Sequence, residues 1–74
     1  MKYSENYNFY ESYVNYSNKV WVLVHFNSGR IEAWRDYGDV AWGSPIYSVI
    51  GYFEGTYRQA LKTAKQLISQ EDQQ

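Results

Sequence analysis

With no cysteine and a single histidine in 74 residues, only His25 can act as a general base near neutral pH. A hairpin turning at Ser28-Gly29 would set Glu32 across from it, an arrangement able to relay a proton. The same pair is an ordinary cross-strand stabilising contact, and neither Ser28 nor Ser48 stands at a spacing that marks a nucleophile. Asp36 and Asp39 resemble an acid-base or metal pair. Hydrolysis needs two carboxylates positioned in a cleft, and calcium needs a loop with more hard ligands than these. Gly51-Tyr52-Phe53-Glu54-Gly55 echoes a phosphate-binding turn but lacks its lysine and glycine spacing, so turn chemistry accounts for it better. No catalytic residue, metal site or cofactor is expected, and the chain is read as a non-enzyme.

Contact chemistry is far better supplied. Nine Tyr, three Phe and three Trp make 20% of the chain aromatic. Tyr and Trp combine large apolar area with a polar handle and suit recognition surfaces as well as cores. Val, Leu and Ile total 13, so several aromatics must be core. Stacked on a sheet beside basic residues, Trp21, Trp34, Tyr37, Tyr47 and Tyr52 would hold single-stranded RNA or DNA. Arg30, Arg35, Arg58, Lys62 and Lys65 are the cations for that reading. Set among carboxylates, the same aromatics suit a protein partner instead.

Three strands and a helix must position these residues. Val20–Phe26 is β-branched and aromatic, is bounded by Asn27-Ser28-Gly29, and is followed by a second run, 31–37. The preferred register pairs Phe26 with Ile31, Val24 with Ala33, Val22 with Arg35 and Val20 with Tyr37. Trp21, Leu23, Trp34 and the His25–Glu32 pair then share the other face. A shift by one would oppose Val24 to Glu32 and Phe26 to Arg30, which a buried face resists. Residues 46–53 read as a third strand after Pro45, with Gly51 a bulge or close-approach point. Thr56 and Gln59 have capping-box spacing before a helix over 57–70, whose Tyr57, Ala60, Leu61, Ala64, Leu67 and Ile68 form a core-facing stripe. Residues 71–74 read as a fraying tail. Residues 1–18 are ambiguous: Tyr3, Tyr7, Tyr10 and Val14 have helical spacing, whereas Tyr7, Phe9, Glu11 and Tyr13 alternate. Their Asn and Ser content tips the reading toward a strand beside the hairpin.

Together these give one small α+β domain, an antiparallel sheet of three or four strands with one C-terminal helix packed on a face. No signal peptide or apolar span is visible, and the absence of cysteine fits a reducing compartment, so a cytoplasmic protein is expected. Net charge is −1, against the surplus of cations typical of duplex-DNA binders. The charge is uneven: residues 31–55 carry Glu32, Asp36, Asp39 and Glu54 against Arg35, whereas 56–70 carry Arg58, Lys62 and Lys65 with no acid. The favoured reading is a binding protein that inhibits or regulates by occluding a partner protein's site, the partner itself handling nucleic acid. Trp34, Asp36, Tyr37, Asp39 and Trp42 are the expected contact set. In size and character the chain is similar to small acidic inhibitors of phages and mobile elements, anti-CRISPR proteins among them, although it carries no family motif. The alternative is a small single-stranded nucleic-acid-binding module. No membrane partner is expected, and an open strand edge would permit a homodimer.

Overall fold

The computed structural model describes residues 3–14, 20–35, 38, 40 and 43–72. Their elements run β1 (Tyr3–Ser4), α1 (Tyr7–Val14), β2 (Val20–Phe26), β3 (Ile31–Trp34), β4 (Tyr47–Glu54) and α2 (Tyr57–Asp72). The fold is α+β. An antiparallel sheet has the order β1-β4-β2-β3, and α2 packs against its β2 and β3 side. The expected class and the C-terminal helix are both present.

The helix forms where the capping signal places it. Gln59 N donates to Thr56 Oγ1 at 3.1 Å, and Thr56 N donates to Gln59 Oε1 at 3.2 Å. This reciprocal box satisfies two otherwise orphan donors. Thr56→Ala is therefore expected to cost about 1 kcal/mol. In a reversible thermal melt that lowers the midpoint by roughly 4–8 °C for a domain of this size; an unchanged midpoint would remove the cap from the account. The helix continues through Glu71 and Asp72, two residues beyond the expected end, while 73 and 74 lie outside the described residues.

The N-terminal segment corrects the sequence reading. Tyr7–Val14 is a helix, not a strand beside the hairpin, and only Tyr3–Ser4 is extended, pairing with β4. Asn6 starts the helix: its Oδ1 accepts from Asn8 N at 2.9 Å, the bond an N-cap makes to the second helical residue. Tyr10 then buries its ring against the sheet, 5.7 Å from Tyr52, and its hydroxyl donates to Arg35 O. Propensity alone disfavours this helix; the buried tyrosine and the cap outweigh it.

The hairpin register is also one residue away from the preferred one. Val22 faces Trp34, Leu23 faces Ala33, Val24 faces Glu32 and His25 faces Ile31. Turn geometry decides it. Phe26 N donates to Arg30 O at 2.8 Å and Gly29 N to Phe26 O at 2.9 Å. Gly29, at φ +100°, supplies the left-handed residue of a three-residue hairpin loop. The argument from a buried face fails because both faces of β2 are buried. Val20, Val22 and Val24 pack with Tyr10, Val40 and Tyr52 on one side, and Leu23 with Ala33, Phe53, Ala60 and Ala64 on the other. Glu32 tolerates its place opposite Val24 because β3 is an edge strand. Its carboxylate stays partly exposed and accepts from Arg30 Nε at 2.9 Å.

β3 ends at Trp34; Asp36 and Tyr37 lie outside the described residues. β4 pairs with β2 from Phe26–Tyr47 to Val20–Glu54, with an irregularity where the partner of Leu23 is Gly51 and that of Val24 is Val49. Gly51 is thus the bulge and close-approach point that its position suggested. Leu61, expected in the core, is only partly buried, and Ala60 and Ala64 hold the fully buried positions of α2.

Candidate functional site

The register moves every residue of β3 to the other face. Trp34 and Glu32 therefore lie on the Val22 side, away from Trp21 and Leu23, and the expected His25–Glu32 pair does not form. Glu32 is held by Arg30 through both Nε and Nη2, and His25 sits on the opposite face, beside Ile31 and Ser48. Among the described residues, no group of three or more His, Asp or Glu is placed to hold a metal ion. The segment Gly51–Glu54 belongs to β4 and is not a phosphate-binding turn.

The aromatic side chains separate into three groups. Tyr7 and Tyr10 of α1 stack at 5.8 Å and meet Tyr52 of β4 edge-on and tilted, at 6.0 and 5.7 Å. Trp21 lies under α2: its ring is 5.2 Å from Tyr57, its Nε1 donates to Gly55 O at 2.9 Å, and the Arg35 guanidinium stands 5.4 Å from its centroid. Trp21 and Tyr52 thus serve the interior and do not extend an open stacking platform.

The third group is Phe26, Trp34 and Tyr47 at the hairpin end of the Val22 face. Trp34 meets Tyr47 edge-on at 5.1 Å and Phe26 edge-on at 6.3 Å, and Phe26 lies 5.3 Å from Tyr47. Edge-to-face contacts of this kind add attraction beyond area burial and fix ring orientation. Each of the three is partly buried against the Val22 cluster. Arg30 borders the group, its guanidinium 5.2 Å from the Phe26 centroid, and Glu32 pairs with it. Nearby, Asn27 N and Nδ2 donate to Ile46 O and Pro45 O, at 2.9 and 2.6 Å. That tie fixes the hairpin tip against the start of β4 and presents Ile46, which is 58% exposed. The result is an aromatic patch spanning β4, β2 and β3.

Of the expected contact set, Trp34 is placed in this patch, whereas Asp36, Tyr37, Asp39 and Trp42 lie outside the described residues. Phe26 is the member that the sequence reading did not assign to a partner; Tyr47 stood there among the stacking aromatics but outside the preferred contact set. A signal for Phe26 was available: recognising the turn as a three-residue loop fixes the β2–β3 register and puts Phe26 on Trp34's face, whereas Tyr47 joins them only through the β2–β4 pairing. Of the alternative cations, Arg30 and Arg35 are engaged within the chain. Arg58, Lys62 and Lys65 stand exposed on α2, across the sheet from Trp34. Among the described residues, no helix is long and apolar enough to cross a membrane. No protein-family model, curated protein or solved structure matches the chain.

Proposed function

We propose that this domain is a non-enzymatic binding module whose Trp34–Tyr47–Phe26 patch docks on a protein and occludes that partner's site, as an inhibitor or regulator does. The observation that carries this reading is the mutual orientation of three partly exposed aromatic residues from β2, β3 and β4, with Trp34 edge-on to both Phe26 and Tyr47. Rings already fixed lose little freedom on binding, and large rigid aromatics are the residues that dominate interface energy. The Arg30–Glu32 pair gives the patch a charged rim. Asp36 and Asp39 follow Trp34 closely in sequence and supply negative charge suited to a basic partner surface. A partner that handles nucleic acid presents such a surface.

The test is a tagged pull-down from the native host with and without nuclease, followed by titration of the captured partner with purified variants. Trp34→Ala is expected to weaken binding by about 2 kcal/mol or more, roughly 30-fold, with the fold retained by circular dichroism. Asp36→Lys with Asp39→Lys is expected to slow association most at low salt. Capture that vanishes with nuclease, together with tighter binding by the lysine variants, would establish the single-stranded nucleic-acid reading in its place.

A further inference from the structure

On the far side of the sheet from Trp34, one face of α2 carries a second surface. Arg58, Lys62 and Lys65 fall at spacings of four and three, on a single flank of the helix. With Leu61, Gln66 and Ser69 they line an open trough of about 490 Å³. The three cations are exposed, and Leu61 is the partly buried apolar element between them and the core. The ion pair formed among the described residues joins Arg30 to Glu32 and involves none of the three. Residues 56–70 contain no acid to neutralise them. Helices normally intersperse opposite charges three or four residues apart, and like charges at that spacing repel. A run of cations with no acid among residues 56–70 and no ion pair among the described residues, flanking an apolar side chain, is therefore a charge pattern that an incoming anionic group relieves.

We infer that this α2 face is a docking site for an acidic amphipathic protein segment, one carrying carboxylates at helical spacing and an apolar side chain for Leu61. Three features favour that occupant over nucleic acid. The trough lining contains no aromatic ring, and unpaired bases are held chiefly by aromatic stacking. Tyr57, the ring nearest in sequence, is half-exposed but packs on Trp21 and does not line the trough. The spacing also fits: Arg58 to Lys62 and Lys62 to Lys65 advance about 6 and 4.5 Å along the helix axis, the same advances that separate carboxylates four and three residues apart on a partner helix. This surface is independent of the Trp34 patch, so failure of either leaves the other standing.

The experiment uses the full chain and three fluorescein-labelled probes: a helical peptide with glutamates at that spacing and leucine on the same face, a scrambled peptide of identical composition, and oligo-dT of matched charge. Anisotropy titrations are run at low and at moderate salt. The patterned peptide is expected to bind more tightly than the scrambled one by about tenfold, and to weaken as salt shortens the screening length from about 30 Å to about 10 Å. Charge reversal at Arg58→Glu, Lys62→Glu and Lys65→Glu should abolish this binding, while Trp34→Ala leaves it unchanged. All three reversed positions are exposed, and a thermal melt checks the fold; Lys62→Glu alone gives the same direction with a smaller loss. Equal binding of patterned and scrambled peptides, tighter binding of oligo-dT, or binding of no probe would each overturn the proposal. So would self-association of the parent chain that the charge reversal abolishes, because the occupant would then be a second copy.

Discussion

Leu23→Ala is expected to remove about 3–5 kcal/mol of stability, the upper part of the range for a fully enclosed leucine. Leu23 is fully buried on the central strand, where it meets Ala33, Phe53, Ala60 and Ala64. Its neighbours are small alanines on α2 and a paired strand on each side, and none can move inward without breaking ladder hydrogen bonds or lifting the helix. The cavity left by truncation therefore stays open. A chain of 74 residues has on the order of 4–11 kcal/mol of total stability, so the variant should be near or beyond its unfolding threshold at physiological temperature. Urea unfolding followed by tryptophan fluorescence and circular dichroism measures the loss as a fall in midpoint at constant slope. Leu61→Ala, at the partly exposed margin of the same cluster, should cost distinctly less. A Leu23→Ala loss below about 1 kcal/mol, or a larger loss at Leu61, would mean that α2 does not seat on this face as described.

That ordering was not legible in the sequence, and the reason is instructive. The helical stripe nominates Tyr57, Ala60, Leu61, Ala64, Leu67 and Ile68 alike, because periodicity gives an arc and not its centre. Close approach of α2 to the sheet puts the smallest members, Ala60 and Ala64, at the line of contact, and the larger side chains splay to the margins. The local signals were legible: the Thr56–Gln59 box, the hairpin turn at Gly29, the irregular point at Gly51. Pairing was not. Pairing Phe26 with Ile31 implies a four-residue loop where the turn has three, and a buried-face rule cannot choose between the registers because both faces of β2 are buried. Recognising Asn6 as a cap would have given the helix, and recognising the three-residue loop would have put Trp34 and Glu32 on the Val22 face. The Trp34 patch shows the same limit: its rings come from β2, β3 and β4, and only the pairing brings them together.

Gly51→Ala is expected to cost about 2–4 kcal/mol, through a contact made by the most N-terminal residue described. Tyr3 pairs with Phe53 across the β1–β4 ladder, and its ring reaches diagonally over Gly51. A Cβ at Gly51 would fall 2.5 Å from both Tyr3 Cε1 and the Tyr3 hydroxyl oxygen, well inside van der Waals contact. The ring cannot swing clear without losing the bond from its hydroxyl to Ile50 O, 2.6 Å long, at the irregular point of β4. The backbone there has φ +156°, a region that residues with a side chain seldom adopt, which adds strain of its own. The two contributions separate in a double-mutant cycle. In a Tyr3→Ala background the steric part vanishes and only the backbone part remains, so Gly51→Ala should cost at least about 1 kcal/mol less there than in the parent. Denaturant unfolding of the parent, both single variants and the double variant measures this coupling directly. Equal costs in the two backgrounds would assign the glycine to backbone conformation alone. A coupling of the expected size instead makes Tyr3 a clamp: one ring, seated where only glycine leaves room, fastens β1 to the sheet and brings α1 over the Val22 face. The Trp34 patch lies on that same face, so its shape depends on a contact near the opposite end of β4.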